Sequence, residues 1–114
     1  MAIFSKELLS GSTNGRGIKV AASATPGTLV HTVDASAIDE VWLFAANSDT
    51  SPIKVTVEFG GVSAPDDLIE VTVPSESGLF TLVAGLPLTG GVVVRIFAAS
   101  INVVMIHGYV NRIT

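Results

Sequence analysis

Two histidines, one acidic cluster and a handful of aromatic side chains are the groups in this chain whose chemistry could serve catalysis or ligand binding. His31 and His107 each fall inside a stretch that alternates like a strand, where a histidine is usually structural or solvated rather than a general base. Serines are frequent in turn-like segments, but no Gly-x-Ser-x-Gly elbow presents one as a nucleophile. The glycines from Gly11 to Gly17 have the wrong spacing for a phosphate loop, and no Lys-Ser or Lys-Thr pair follows them. No nucleophile has a base near it in the pattern, so the chain is expected not to be an enzyme and to carry no cofactor.

Asp66, Asp67 and Glu70 are the densest acidic group, and hard carboxylate oxygens could hold calcium. The Asp-x-Asp-x-Asp-Gly spacing is missing, so the favoured reading is a Pro65-Asp66-Asp67 turn whose carboxylates cap backbone N–H groups, with no metal. Trp42, Phe44, Phe59, Phe80, Phe97 and Tyr109 could form a platform for stacking sugars. Such platforms use exposed Trp and Tyr, whereas phenylalanine predominates in this chain, so core packing is the expected role.

These residues are carried by short strands. From Ile38 to Val73 three apolar runs are separated by Asn, Ser, Asp, Pro and Gly; Val55, Val57 and Phe59 alternate with Lys54, Thr56 and Glu58, and Ile69, Val71 and Val73 with Glu70 and Thr72. This reads as an antiparallel β-meander, with Asn47 to Pro52 as a wide hairpin end. Runs at Ile18–Ala22, Leu29–Val33, Leu79–Val83, Val92–Ala98 and Val103–Val110 complete eight strands, with turn signals every eight to twelve residues. Pro87 is expected to keep the stretch after it off a central strand. No segment keeps a helical period. The spacing predicts an all-β fold, an antiparallel β-sandwich with a jelly-roll-like arrangement. Val55, Val57, Phe59, Ile69, Val71, Val73, Val94 and Ile96 are expected in one buried layer, with one of Val94 and Ile96 turned to the other side.

At 114 residues the chain is one domain, and its 14% of charged residues against 48% apolar ones is low for a monomer. Part of its surface is therefore expected to be covered by other subunits. A net charge of −4 with scattered basic residues argues against nucleic acid as a partner. The apolar window from Gly91 to Val110 is broken by Arg95, Ser100, Asn102 and His107, which favours two strands over a membrane span. No membrane partner is expected. The absence of cysteine fits synthesis in a cytoplasm, and Ser5, Lys6 and Glu7 interrupt the first apolar positions too early for a secretory signal.

Residues 1–16 differ from the rest. Apolar Ile3, Phe4, Leu8 and Leu9 precede a Gly/Ser-rich stretch that is costly to order. Two readings are open: an arm whose apolar head docks on a partner, or a first edge strand followed by a long turn. We take the arm, with Ile3, Phe4, Leu8 and Leu9 as its contact residues and residues 17–114 as the sandwich domain.

The segments MAIFSKELLSGSTNGRGIKVAA, DEVWLFAANS, VEFGGVSAPDDLIEVTVPS and GYVNRIT together resemble a group of small structural proteins encoded in tailed-phage genomes. The likeness covers nearly the whole chain and contains no catalytic or ligand signature. It implies a virion protein, made in the host cytoplasm and placed on the outer capsid surface as a decoration (cement) protein. Its partners would be the major capsid protein and further copies of itself, as a trimer. The alternative is a tail or fibre component that binds host-surface glycans.

Overall fold

The computed structural model describes residues 2–114, and among them every regular element is a β-strand. The nine strands are β1 (Phe4–Leu8), β2 (Ile18–Lys19), β3 (Thr28–Thr32), β4 (Ile38–Asn47), β5 (Ile53–Phe59), β6 (Leu68–Val73), β7 (Phe80–Leu88), β8 (Val93–Ala98) and β9 (Val104–Ile113). They form two antiparallel sheets. One runs β1-β9-β4-β7, with β2 also paired to β9; the other runs β3-β8-β5-β6. No helix long and apolar enough to cross a membrane is present among the described residues.

The pairing follows from a single folded ribbon. β5 pairs with β6, β4 with β7, β3 with β8, and β2 with β9, like the rungs of one long hairpin whose tip is the β5–β6 turn. Rolling that ribbon adds the β4–β9 and β5–β8 ladders and yields two facing sheets. The sandwich expected from strand spacing is what forms, and its wiring is compatible with a jelly roll.

The meander reading of residues 38–73 holds for β5 and β6, which pair antiparallel, and fails at β4. β4 and β5 lie in different sheets, so Asn47 to Pro52 is a crossover between layers and not a hairpin end. Asn47 shapes it: the buried side-chain amide donates to the Ser51 carbonyl at 3.0 Å and to the Val73 carbonyl at 3.1 Å, while its Oδ1 accepts from the Asp49 amide at 2.9 Å. The sequence pattern misleads because facing strands and neighbouring strands alternate alike. Val41, Leu43 and Ala45 point into the sandwich from one sheet, and Val55 and Val57 from the other.

The core is thin and aliphatic. Val41, Leu43, Val55, Val57, Val94, Ile96, Val104, Ile106 and Val110 have no accessible surface. Val73 is equally buried, while Phe59, Ile69 and Val71 pack against this cluster from its margin. Val94 and Ile96 are both buried, because residues two apart in a strand share a face; neither turns outward. β7 runs on through Pro87, which is tolerated because β7 is an edge strand.

Residues 2–16 are not a free arm, and Met1 lies outside the described residues. β1 pairs with β9 from Phe4 opposite Ile113 to Leu8 opposite Tyr109, and reciprocal Ile3–Thr114 backbone bonds of 2.9 Å extend the ladder. Leu9 is a core residue, 2% exposed. The Gly/Ser-rich stretch is ordered by its own turn chemistry. The Arg16 amide donates to the Thr13 carbonyl at 3.0 Å, with positive φ at Asn14 and Gly15, the geometry of a type I′ turn. Next to it, the Gly11 amide donates to the Val30 carbonyl at 2.9 Å, fastening the segment to the second sheet.

Candidate functional site

Two features stand out: a buried polar network that locks the strands together and an apolar face that nothing in the chain covers.

The network is centred on Asp39, on the core-facing phase of β4 with no accessible surface. Its Oδ1 accepts from Arg112 Nε at 2.8 Å; its Oδ2 accepts from Arg112 Nη2 and from the Asp34 amide, each at 3.1 Å, and pairs with His31 Nε2 at 2.8 Å. His31 Nδ1 accepts from the Ser10 amide at 3.0 Å, so Nε2 carries the proton and donates to Asp39. Burial pushes the Asp39 carboxyl up, but the Arg112 hydrogen bonds, then those from His31 and Asp34, outweigh it and hold the group at about 2.

Serine, histidine and aspartate therefore meet without forming a catalytic triad. A triad needs the serine hydroxyl on a ring nitrogen. Ser10 instead offers its backbone N–H, and its Oγ accepts from the Thr32 amide at 2.7 Å. Both ring nitrogens of His31 are engaged and the ring is 1% exposed, so the arrangement is a brace joining the N-terminal segment, β3, β4 and β9. This constellation escapes the sequence reading. One signal was present: Asp39 shares the inward phase of Val41, Leu43 and Ala45, and a carboxylate on that phase must find partners.

Glu58 is a second buried carboxylate, 1% exposed on the outward phase of β5. The β2–β3 loop folds over it. Gly27 N–H donates to Oε1 at 2.6 Å, and the Thr25 hydroxyl donates to Oε2.

The calcium candidates separate. Asp67 accepts from the Ser63 amide at 3.1 Å, as a turn cap does, while Glu70 pairs with Lys54 at 2.6 Å across the β5–β6 ladder. Among the described residues no three potential metal ligands gather.

The aromatic residues do not fill the core, and that expectation is corrected. Phe59 and Phe80 pack at its margin, Phe97 lies on the outer side of β8, and Trp42, Phe44 and Tyr109 stand on the outer face of the five-stranded sheet. In β4 the residues at 42 and 44 are out of phase with Val41, Leu43 and Ala45, and the space between the sheets is filled by aliphatic side chains.

Across that face the ladders align Leu8, Tyr109, Trp42 and Ala84 in one row and Lys6, Asn111, Glu40 and Pro87 in the next. Trp42 stacks on Tyr109 with ring centroids 6.1 Å apart and planes 13° from parallel. Lys6 Nζ lies 4.7 Å from the Tyr109 centroid, approaching from β1 while Trp42 approaches from β4. Trp42 also crosses Gly85, whose φ of +77° bulges β7 and whose missing side chain leaves room for the indole. Glu40 Oε1 accepts from Trp42 Nε1 at 2.8 Å and from Asn111 Nδ2 at 3.1 Å; the Asn111 bond, then the Trp42 bond, lowers its pKa.

Around this fixed centre exposed apolar side chains flank the polar Lys6–Asn111–Glu40 row. Phe4 is 70% exposed, Leu8 59% and Ile38 40%. A groove of about 230 Å³ runs between Phe4, Lys6, Glu40, Asn111 and Ile113. Of the contact residues expected in an arm, Ile3, Phe4 and Leu8 are exposed along this edge, whereas Leu9 is in the core.

Compared with protein-family models, curated proteins and solved structures, the chain matches none.

Proposed function

We propose that this protein is a non-enzymatic structural component of a tailed-phage virion, a decoration protein that docks on the major capsid protein through the outer face of its five-stranded sheet. The observation that carries the reading is the exposure of Phe4, Leu8 and Ile38 around the Trp42–Tyr109 stack. Exposed apolar side chains beside a rigid aromatic pair, with the polar Lys6, Asn111 and Glu40 set among them, are the composition of a protein-docking surface. The buried polar groups favour the same reading, because they are spent on holding strands together.

Decoration stabilises a shell by burying area between neighbouring capsomers. About 1,600 Å² per contact, repeated by symmetry, needs no single strong bond. The resemblance to phage virion proteins supports the capsid as partner and the outer capsid surface as location. It also supports a homo-oligomer, a trimer by analogy with cement proteins, in which further copies cover the sheet edges.

The tail or fibre alternative requires an open ring face for a sugar to stack on. Tyr109 is flanked by Trp42 and Lys6, so glycan binding is the weaker reading. The deciding experiment mixes purified protein with tail-less heads stripped of it. Saturable rebinding in hundreds of copies per head is expected. Labelling confined to the tail would overturn the assignment.

A further inference from the structure

A groove of about 360 Å³ lies between the 13–16 turn, β2 and β9, lined by Thr13, Arg16, Ile18, Lys19 and Met105. Four of the chain's six basic residues are engaged: Lys6 over Tyr109, Lys54 with Glu70, Arg95 with the Gly27 carbonyl and Arg112 with Asp39. The remaining two, Arg16 and Lys19, have no acidic partner among the described residues, and both line this groove. In a chain of net charge −4, two unpaired cations at one place form a site for a carboxylate.

A complementary feature sits toward the other end of the sandwich. The β5–β6 loop is a rigid knuckle: Asp67 caps the Ser63 amide at 3.1 Å, and the Asp67 amide returns a 2.9 Å bond to the Ser63 carbonyl. It projects exposed Val62 and Asp66. The groove lies beside Met105, which pairs with Ala46 near the end of β4. The knuckle follows Phe59 and contacts the end where β4 begins, since Gly60 packs on Leu88 and Leu88 pairs with Asp39. In a molecule 48 Å long the two cannot meet within one chain.

We infer that the Arg16–Lys19 groove receives the Val62–Asp66 knuckle of a second copy of this chain. Asp66 lies between the two cations, and Val62 rests on Met105. Groove and knuckle are different surfaces, so the contact is head-to-tail and builds a ring where the rotation closes. This deepens the assembly part of the proposed function and rests on the chain forming oligomers; it does not depend on what the sheet face docks on.

The test is sedimentation of the full chain and three variants, each checked for an unchanged β-sheet spectrum and melting temperature. The wild type is expected to self-associate and to weaken with added salt. Arg16→Glu with Lys19→Glu should weaken self-association at least tenfold, as should Asp66→Lys. Combining all three substitutions in one chain reverses both charges and should restore most of the loss. A monomeric wild type, or a triple variant no better than the double variant, would overturn the contact. Head rebinding by the wild type is scored separately, so failure here and failure of the decoration reading are distinct results.

Discussion

His31 on β3 donates to Asp39 on β4 at 2.8 Å, and this hydrogen bond joins the two sheets at the end of the sandwich where β4 begins. Arg112 on β9 and Ser10 after β1 complete the link, so one carboxylate ties four segments remote in sequence. Removing one partner of such a group leaves a buried charge or an empty donor, which costs more than the net worth of the bond. Arg112→Met should destabilise the protein by about 3 kcal/mol, measured by urea unfolding. Asp39→Asn with Arg112→Met together should cost less than the sum of the single changes, because the second removes a charge the first has stranded. Additive costs would show that Arg112 and Asp39 are not coupled.

Acid should weaken the same brace. The Asp39 carboxyl is held at about 2, below the ordinary 3.8, so it contributes stability that is fully present above the ordinary aspartate range. That contribution fades as pH falls from about 4 toward 2, and amounts to about 2 kcal/mol. Thermal melts across this window should show a steeper acid loss for the wild type than for Asp39→Asn. Parallel curves would rule out Asp39 as a source of the acid sensitivity.

At Gly108 the backbone of β9 leaves no room for a side chain against β4. A side chain there would be driven into the carbonyl oxygen of Trp42, a backbone atom that cannot yield without breaking the ladder, and φ is +157°. Gly108→Ala should cost about 3 kcal/mol. Gly90, with nothing within 4 Å of the added carbon but a φ of +75°, should cost less on the same change, about 1 kcal/mol. Equal losses at the two sites would place the whole effect in backbone strain and none in the β4–β9 contact.

Eight of the nine strands were legible from apolar alternation, whereas β1, exposed along nearly its whole length, was taken as an arm. Val55, Val57 and Val73 read as buried and are buried. The β5–β6 pair was legible, but the placing of β4 was not, since β4 and β5 carry the same alternation whether they pair edge to edge or face each other. The turn at Asn14 and Gly15 was within reach, because that dipeptide favours positive φ at both central positions. The Asp39 brace was half visible, in the phase of one carboxylate; its partners at 10, 31 and 112 come together only through the roll of the ribbon. The burial of Glu58 left no trace in sequence, because a loop remote from β5 covers it.

The N-terminal segment separates docking from folding. Phe4 and Leu8 stand on the outer face with most of their surface free, so Phe4→Ser and Leu8→Ser should shift stability by no more than about 0.5 kcal/mol. Together they should abolish rebinding to stripped heads, since they remove the apolar flank beside Tyr109. Leu9, one residue further on, is 2% exposed in the core, and Leu9→Ala should cost about 2–5 kcal/mol. Deleting residues 2–11 removes β1, Leu9 and the Ser10 bond to His31, and so should lower the melting temperature markedly rather than release a dispensable tail. A deletion that melts like the wild type would restore the free-arm reading. A Phe4→Ser, Leu8→Ser protein that still binds heads would move the docking surface off this face.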